Sequence, residues 1–162
     1  MMAALLWVHA AMGVDHVLAP TDSWPEPSAV APGDRIFLAP GFYKQLPVLK
    51  YQGTEAQPIA ISSVDPSQPA TVVGDAWGMI IRGGRHINVS TVMVMAGQSG
   101  GIRLERGEAG PSRSIVLANI YVIPRPGNLT RVGVDLEGVE GIQILNAKVD
   151  LWSRAAIQIR DA

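Results

Sequence analysis

The chain has 162 residues, 48% of them hydrophobic and 17% charged, which is enough for one domain with a real core and too apolar for a disordered segment. A net charge of −1 supplies no basic field to gather phosphates, so the composition argues against nucleic acid as a partner. The absence of cysteine excludes a disulfide framework and thiolate metal sites, and 17 glycines and 12 prolines among many Val and Ile residues point to short strands and frequent turns.

The first residues, "MMAALLWVHAAMG", form an apolar run without a preceding Lys or Arg and interrupted by His9. Residues 1–20 read either as a short signal peptide or as an N-terminal cap on a domain spanning 21–162. The run is too short to cross a bilayer, which takes about 20 apolar residues, and no other stretch qualifies. "DSWPEPSAV" (22–30) is rich in proline and does not read as a helix. Next come "APGDRIFLAPGFYKQ" (31–45) and "GTEAQPIAISS" (53–63), in which turn residues alternate with short apolar strands.

From residue 78 the chain repeats itself. "INVSTVMV" (87–94), "IVLANIYV" (115–122) and "IQILNAKV" (142–149) share one pattern of apolar and polar positions, at offsets of 28 and 27 residues. The apolar sets are Ile87, Val89, Val94; Ile115, Leu117, Val122; and Ile142, Ile144, Val149. The polar position is Thr91, then Asn119, then Asn146. A strand opening on glycine precedes each copy: "GMIIRG" (78–83), "GIRLERG" (101–107) and "GVDLEG" (133–138), with Met79, Ile81, Ile102, Leu104, Val134 and Leu136 on the inward side. "AIQIRD" (156–161) begins a further round with Ile157 and Ile159. The middle copy carries a polar insertion, "GEAGPSR", read as a longer loop.

A period near 27 with about three strands per round predicts a right-handed parallel β-helix of about five coils, each stacking its inward side chains on those above and below. A single coil cannot bury its apolar face, whereas stacked coils gain about 1.5–3 kcal/mol per buried aliphatic side chain. Thr91, Asn119 and Asn146 are expected to form a column at a tight bend, where a lone unpaired buried amide costs about 1–3 kcal/mol. The alternative architecture is a β-sandwich, which predicts alternation without a fixed coil length.

Pro32, Gly33, Asp34, Ile36, Leu38, Pro40, Gly41 and Tyr43, followed by Gly53, Thr54, Pro58 and Ile59, resemble the amino-terminal coils of the pectin-lyase-like right-handed parallel β-helix superfamily, which includes alginate lyases and chondroitinase-B-like polysaccharide lyases. The resemblance covers most of 31–162 and departs from the family in lacking a capping helix. The chain stops within the first strand of a new coil, so the expectation is a fragment of a longer protein, or a short protein that associates with itself through the open end.

The resemblance implies a substrate cleft on the outer face of the "GIRL"-type strand, whose outward residues are Ile80, Arg103, Asp135 and Gln158, then Arg82, Glu105, Glu137 and Arg160. With coils about 4.8 Å apart these form a stripe of mixed charge. It implies β-elimination on a uronate-containing polysaccharide by a secreted, periplasmic or surface protein. Arg103 is then the candidate base, Arg82, Arg103, Gln158 and Arg160 the substrate-binding residues, and Glu105, Asp135 and Glu137 the ligands of a Ca²⁺ ion. Such charges on a solvent face also make ordinary ion pairs worth about 0–1 kcal/mol, the pattern expected of a non-catalytic surface, adhesion or structural module. Trp77 and Trp152 are candidates for stacking on sugar rings. "RGGRH" (82–86) reads as a turn, His9, His16 and His86 lack metal-site spacing, and Asn128 is a glycosylation acceptor only in a eukaryotic secretory host.

Overall fold

A computed structural model describes residues 13–44, 48–127, 129–150 and 152–160; Asn128 and residues 1–12, with His9, lie outside the described residues. The strands run, in chain order, β1 (Asp15–Leu18), β2 (Arg35–Leu38), β3 (Phe42–Lys44), β4 (Ile59–Ser63), β5 (Thr71–Val73), β6 (Trp77–Arg82), β7 (Arg85–Ser90) and β8 (Met93–Met95). They continue as β9 (Gly100–Glu105), β10 (Ser112–Ala118), β11 (Tyr121–Ile123), β12 (Thr130–Glu137), β13 (Val139–Glu140), β14 (Gln143–Leu145), β15 (Lys148–Val149) and β16 (Trp152–Arg160).

Every pairing between these strands is parallel, and each sheet collects one strand per round. The first sheet orders β1-β2-β4-β7-β10 and ends on β13 and β14; the second orders β3-β5-β8-β11-β15; the third orders β6-β9-β12-β16. The result is a parallel β-helix of about four turns. The predicted alignment is the observed register: Ile87 pairs with Ile115, Val89 with Leu117, Leu117 with Ile144, and Val94 with Val122 and then Val149. A sandwich would need antiparallel neighbours along these strands.

The core is a stack of like side chains. Ile36, Ile61 and Val89 follow one another up the first sheet, Val72, Val94 and Val122 up the second, and Met79, Ile102 and Val134 up the third, all fully buried or nearly so. The last turn is partly open: Ile142, Ile144 and Val149 are half-buried, and Ile157 and Ile159 are exposed by 48% and 73%. Residues 24–30 pack against the early strands without an α-helix. One 3-10 turn at Pro27–Ala29 leads to the buried Val30, Trp24 meets the Tyr43 ring edge-on at 6.2 Å, and the Tyr51 hydroxyl donates to the Pro25 carbonyl at 2.9 Å.

In the Pro-Gly-Asp turn, Gly33 adopts φ +90° and Asp34 is buried, accepting from the backbone N–H groups of Val14 (2.7 Å) and Ala31 (2.9 Å) and pairing with His16 Nε2 at 3.1 Å. Burial pushes its carboxyl up, but these bonds outweigh it and hold the pKa below the usual value. In "RGGRH" only Gly83, at φ +63°, and Gly84 form the turn, since Arg82 ends β6 and Arg85 and His86 open β7. The "GEAGPSR" insertion is pinched by reciprocal bonds between Gly107 and Gly110 at 2.8 and 3.1 Å.

The column of Thr91, Asn119 and Asn146 exists, and Asn146 Nδ2 donates to Asn119 Oδ1 at 2.7 Å. Its cause differs from the burial argument, because Asn119 and Asn146 are exposed. All three residues occupy the left-handed region, at φ +55°, +52° and +49°. Asparagine tolerates that conformation better than other residues bearing a Cβ. Replacing Asn119 with Gly should therefore change unfolding free energy by a few tenths of a kcal/mol, and Asn119→Ala should lower it by about 1 kcal/mol, measured by urea titration.

Candidate functional site: an arginine-rich groove on the third sheet

The third sheet turns its strands' outer side chains into rows along the helix axis. Ile80 pairs with Arg103, Arg103 with Asp135 and Asp135 with Gln158; one step on, Arg82 pairs with Glu105, Glu105 with Glu137 and Glu137 with Arg160. The six ionised members of these rows form one network. Glu105 accepts from Arg82 Nε and Arg103 Nε, both at 2.5 Å. Arg103 also donates through Nη1 to Asp135 Oδ2 at 2.7 Å and through Nη2 to Glu137 Oε2 at 2.5 Å. Arg160 Nε reaches Asp135 Oδ1 at 3.0 Å, its Nη2 bonds Asp135 Oδ2, and the same Nη2 lies 2.9 Å from Glu137 Oε2.

Asp135 points outward yet is 1% exposed, because Arg103 and Arg160 close over it. Burial pulls the Arg103 pKa down, but the Glu105 hydrogen bond and the fields of Glu105, Asp135 and Glu137 outweigh it, so the guanidinium sits above its ordinary range. Burial likewise pushes Glu105 up, and the bonds from Arg103 and Arg82 overcome it and hold the carboxyl below its usual value. The hydrogen bond to Asp135 raises Arg160. A general base needs a pKa brought down toward the working pH. Arg103 is moved the other way, and its place in the network is that of an electrostatic clasp.

The Ca²⁺ expectation meets the same geometry. Calcium takes six to eight oxygen ligands. Here Glu105, Asp135 and Glu137 fan around one guanidinium, and no three acidic or histidine side chains converge on a cation position among the described residues. The donor set does not fit the ion.

Beside the network lies a groove of about 240 Å³, lined by Trp77, Ser99, Arg103, Arg131, Val132, Asp135, Arg154, Gln158 and Arg160. Trp77 stands on the outer face with its ring 5.5 Å from Arg103 Cζ. Gly100 makes room for it, since a Cβ there would lie 2.4 Å from Trp77 Cζ3. Trp152 is half exposed on β16 and does not line the groove.

Of the residues singled out from the sequence, Arg82, Arg103, Glu105, Asp135, Glu137 and Arg160 meet in the network, and Gln158 lies in the groove beside it. Arg131 and Arg154 were missed. They directly precede Val132 and Ala155, which pair across β12 and β16. They stand inside β12 and β16, at a break in register between the Thr130–Trp152 and Val132–Ala155 pairs, upstream of the "GVDLE" and "AIQIR" alternation that identified the stripe, and the only sequence signal was an arginine before the small residues that open each of those runs. Among the described residues neither has a carboxylate partner, so the groove keeps two uncompensated positive charges next to an indole.

Fold and site together define a parallel β-helix with an aromatic, arginine-lined groove on one outer face. No protein-family model matches the chain, and no curated protein does. A solved alginate lyase from Paenibacillus sp. str. FPU-7 is similar in structure, with a TM-score of 0.48 and 17% sequence identity over 84% of this chain and 66% of that one.

Proposed function

We propose that this β-helix binds an acidic, uronate-containing polysaccharide along the outer face of the third sheet, as part of an extracellular or periplasmic carbohydrate-active protein. The observation that carries the reading is the presence of Trp77, Arg131 and Arg154 in the lining of one groove. An indole face supplies stacking area for a sugar ring, and the two guanidiniums supply forked donors for carboxylates. The neighbouring network is neutral, three arginines against three carboxylates, and serves to fix the groove wall.

The test is calorimetric titration with uronate oligosaccharides. Trp77→Ala should weaken binding about 30-fold, the scale of losing a central aromatic anchor, while Trp152→Ala leaves it unchanged. Arg131→Ala with Arg154→Ala should weaken it and flatten its salt dependence. Equal binding of a neutral glucan, or wild-type affinity in Trp77→Ala with the fold intact, defeats the reading.

Polysaccharide lyase chemistry is the second reading, and the groove arginines favour it because β-elimination begins with neutralising a uronate carboxylate. It further requires a base, and neither Arg103 nor Arg160 is moved toward that role. Incubation with alginate, chondroitin and pectate decides between them: new unsaturated-product absorbance establishes the lyase, and binding without it leaves a non-catalytic glycan-binding module.

A further inference from the structure

A larger cleft of about 410 Å³ opens on the turns between the third and first sheets, lined by Lys50, Gln52, Arg82, Gly83, Arg85, Gly107, Glu108 and Ala109. Lys50 and Arg85 face it together with Arg82, whose charge is already paired with Glu105, against the carboxylate of Glu108. Their positions are built. Gln52 donates its amide to the carbonyls of Lys50 (3.0 Å) and Gly83 (2.9 Å), tying the segment that carries Lys50 to the turn after Arg82. Arg85 Nη2 donates to the Ala109 carbonyl at 3.0 Å, which anchors the guanidinium without neutralising it. Its Nε is shielded from water and has no acceptor. Lys50 has no ion-pair partner among the described residues, and Arg82 uses Nε alone, on Glu105. Gly83 at φ +63° presses against Gly107 so closely that a Cβ on Gly83 would lie 3.0 Å from Gly107 Cα, so the floor is bare backbone.

We propose that Lys50, Arg82 and Arg85 form a second oxyanion site, which takes a carboxylate or sulfate ester of the same acidic glycan chain whose neighbouring sugars lie against Trp77. This placement rests on the acidic-polysaccharide reading of the groove. The link between the sites is Glu105, whose two carboxylate oxygens hold Arg82 of the one and Arg103 of the other at 2.5 Å each. Two anionic substituents of one chain are thereby met on either side of a single bridging carboxylate, and the second contact is intramolecular once the first is made.

The experiment titrates the full chain, wild type and Lys50→Gln/Arg85→Gln, with inorganic sulfate and with uronate oligosaccharides of increasing length. Lys50→Gln alone is carried alongside because Lys50 is exposed and its loss leaves the fold undisturbed. Sulfate should give saturable NMR amide shifts at Gln52, Gly83 and Gly107 that the double variant loses and the single variant weakens. Oligosaccharides long enough to reach both clefts should bind the double variant about tenfold more weakly, with short ones unaffected, the scale of one lost charge-assisted contact. No saturable sulfate shift in the wild type overturns the site. Sulfate shifts with equal losses, or none, for short and long oligosaccharides overturn its role in extending the groove. A wild type that binds no acidic oligosaccharide defeats the proposed function, and the sulfate titration still decides the oxyanion site.

Discussion

Gly101→Ala should lower the unfolding free energy by about 3 kcal/mol, at the upper end of what overpacking a close-packed core costs. A Cβ on Gly101 would stand 2.4 Å from Val122 Cγ1 and 2.5 Å from the Gly133 carbonyl oxygen. The same conflict recurs in register: Gly78 would meet Val94 Cγ1 at 2.5 Å, and Gly133 would meet Val149 Cγ1 at 2.5 Å. At this corner the chain turns two consecutive residues inward, Gly101 and Ile102 among them, and both are buried. A valine of the second sheet already fills the space that the first of the pair would take. Val122→Ala should therefore recover only part of the loss, because the backbone carbonyl of the next round stays where it was. Equilibrium urea unfolding of Gly101→Ala, Val122→Ala and the double variant tests this. Wild-type stability in Gly101→Ala, or full recovery in the double variant, would show that the corner has slack.

That glycine column also marks what could be read from the residues alone. A glycine at the start of each repeated strand was visible as a pattern, and so was the register, because inward aliphatics can stack only if each round returns to the same phase. The reason for the glycines was not visible, since Val94, Val122 and Val149 lie on a different sheet and only the turn geometry brings them close. The asparagine column was legible in place and misread in cause: the pattern flanking Asn119 and Asn146 suggested burial, whereas a left-handed backbone on the surface is what selects them. For the site, alternation along "GIRLE" and "GVDLE" gave the outward rows, and hence the partners of Arg103. It could not tell whether carboxylates on adjacent rounds would turn toward a cation or toward the arginines between them. That depends on side-chain reach across about 4.8 Å, and the long guanidinium stems close the gap. Arg131 and Arg154 fell outside the pattern because the register between β12 and β16 shifts just where they stand.

Arg103→Met should cost about 2–3 kcal/mol at pH 7, below the 3–5 kcal/mol typical of breaking a fully buried pair because Arg103 keeps 20% of its side-chain exposure. The methionine keeps most of the apolar stem, so the loss reports the guanidinium and its bonds to Glu105, Asp135 and Glu137. Each of the three carboxylates loses one partner and keeps one, Glu105 its bond to Arg82 and Asp135 and Glu137 theirs to Arg160, which limits the damage but leaves three carboxylates with two arginines. The pH dependence has a definite sign. Glu105 is held below its ordinary value of 4.5, so its contribution is fully present above about pH 4.5 and is lost as the pH falls through the lower folded value. In Arg103→Met only Arg82 still holds Glu105, its pKa moves up, and that part of the stability is lost at a higher pH than in the wild type. The stability gap between the two proteins is therefore widest near neutrality and closes in acid, once the wild type has also protonated Glu105. Urea unfolding at pH 7, 5 and 3 reads it directly. A gap that does not change with pH would assign the cost of Arg103→Met to packing of the stem and not to the carboxylates it holds together.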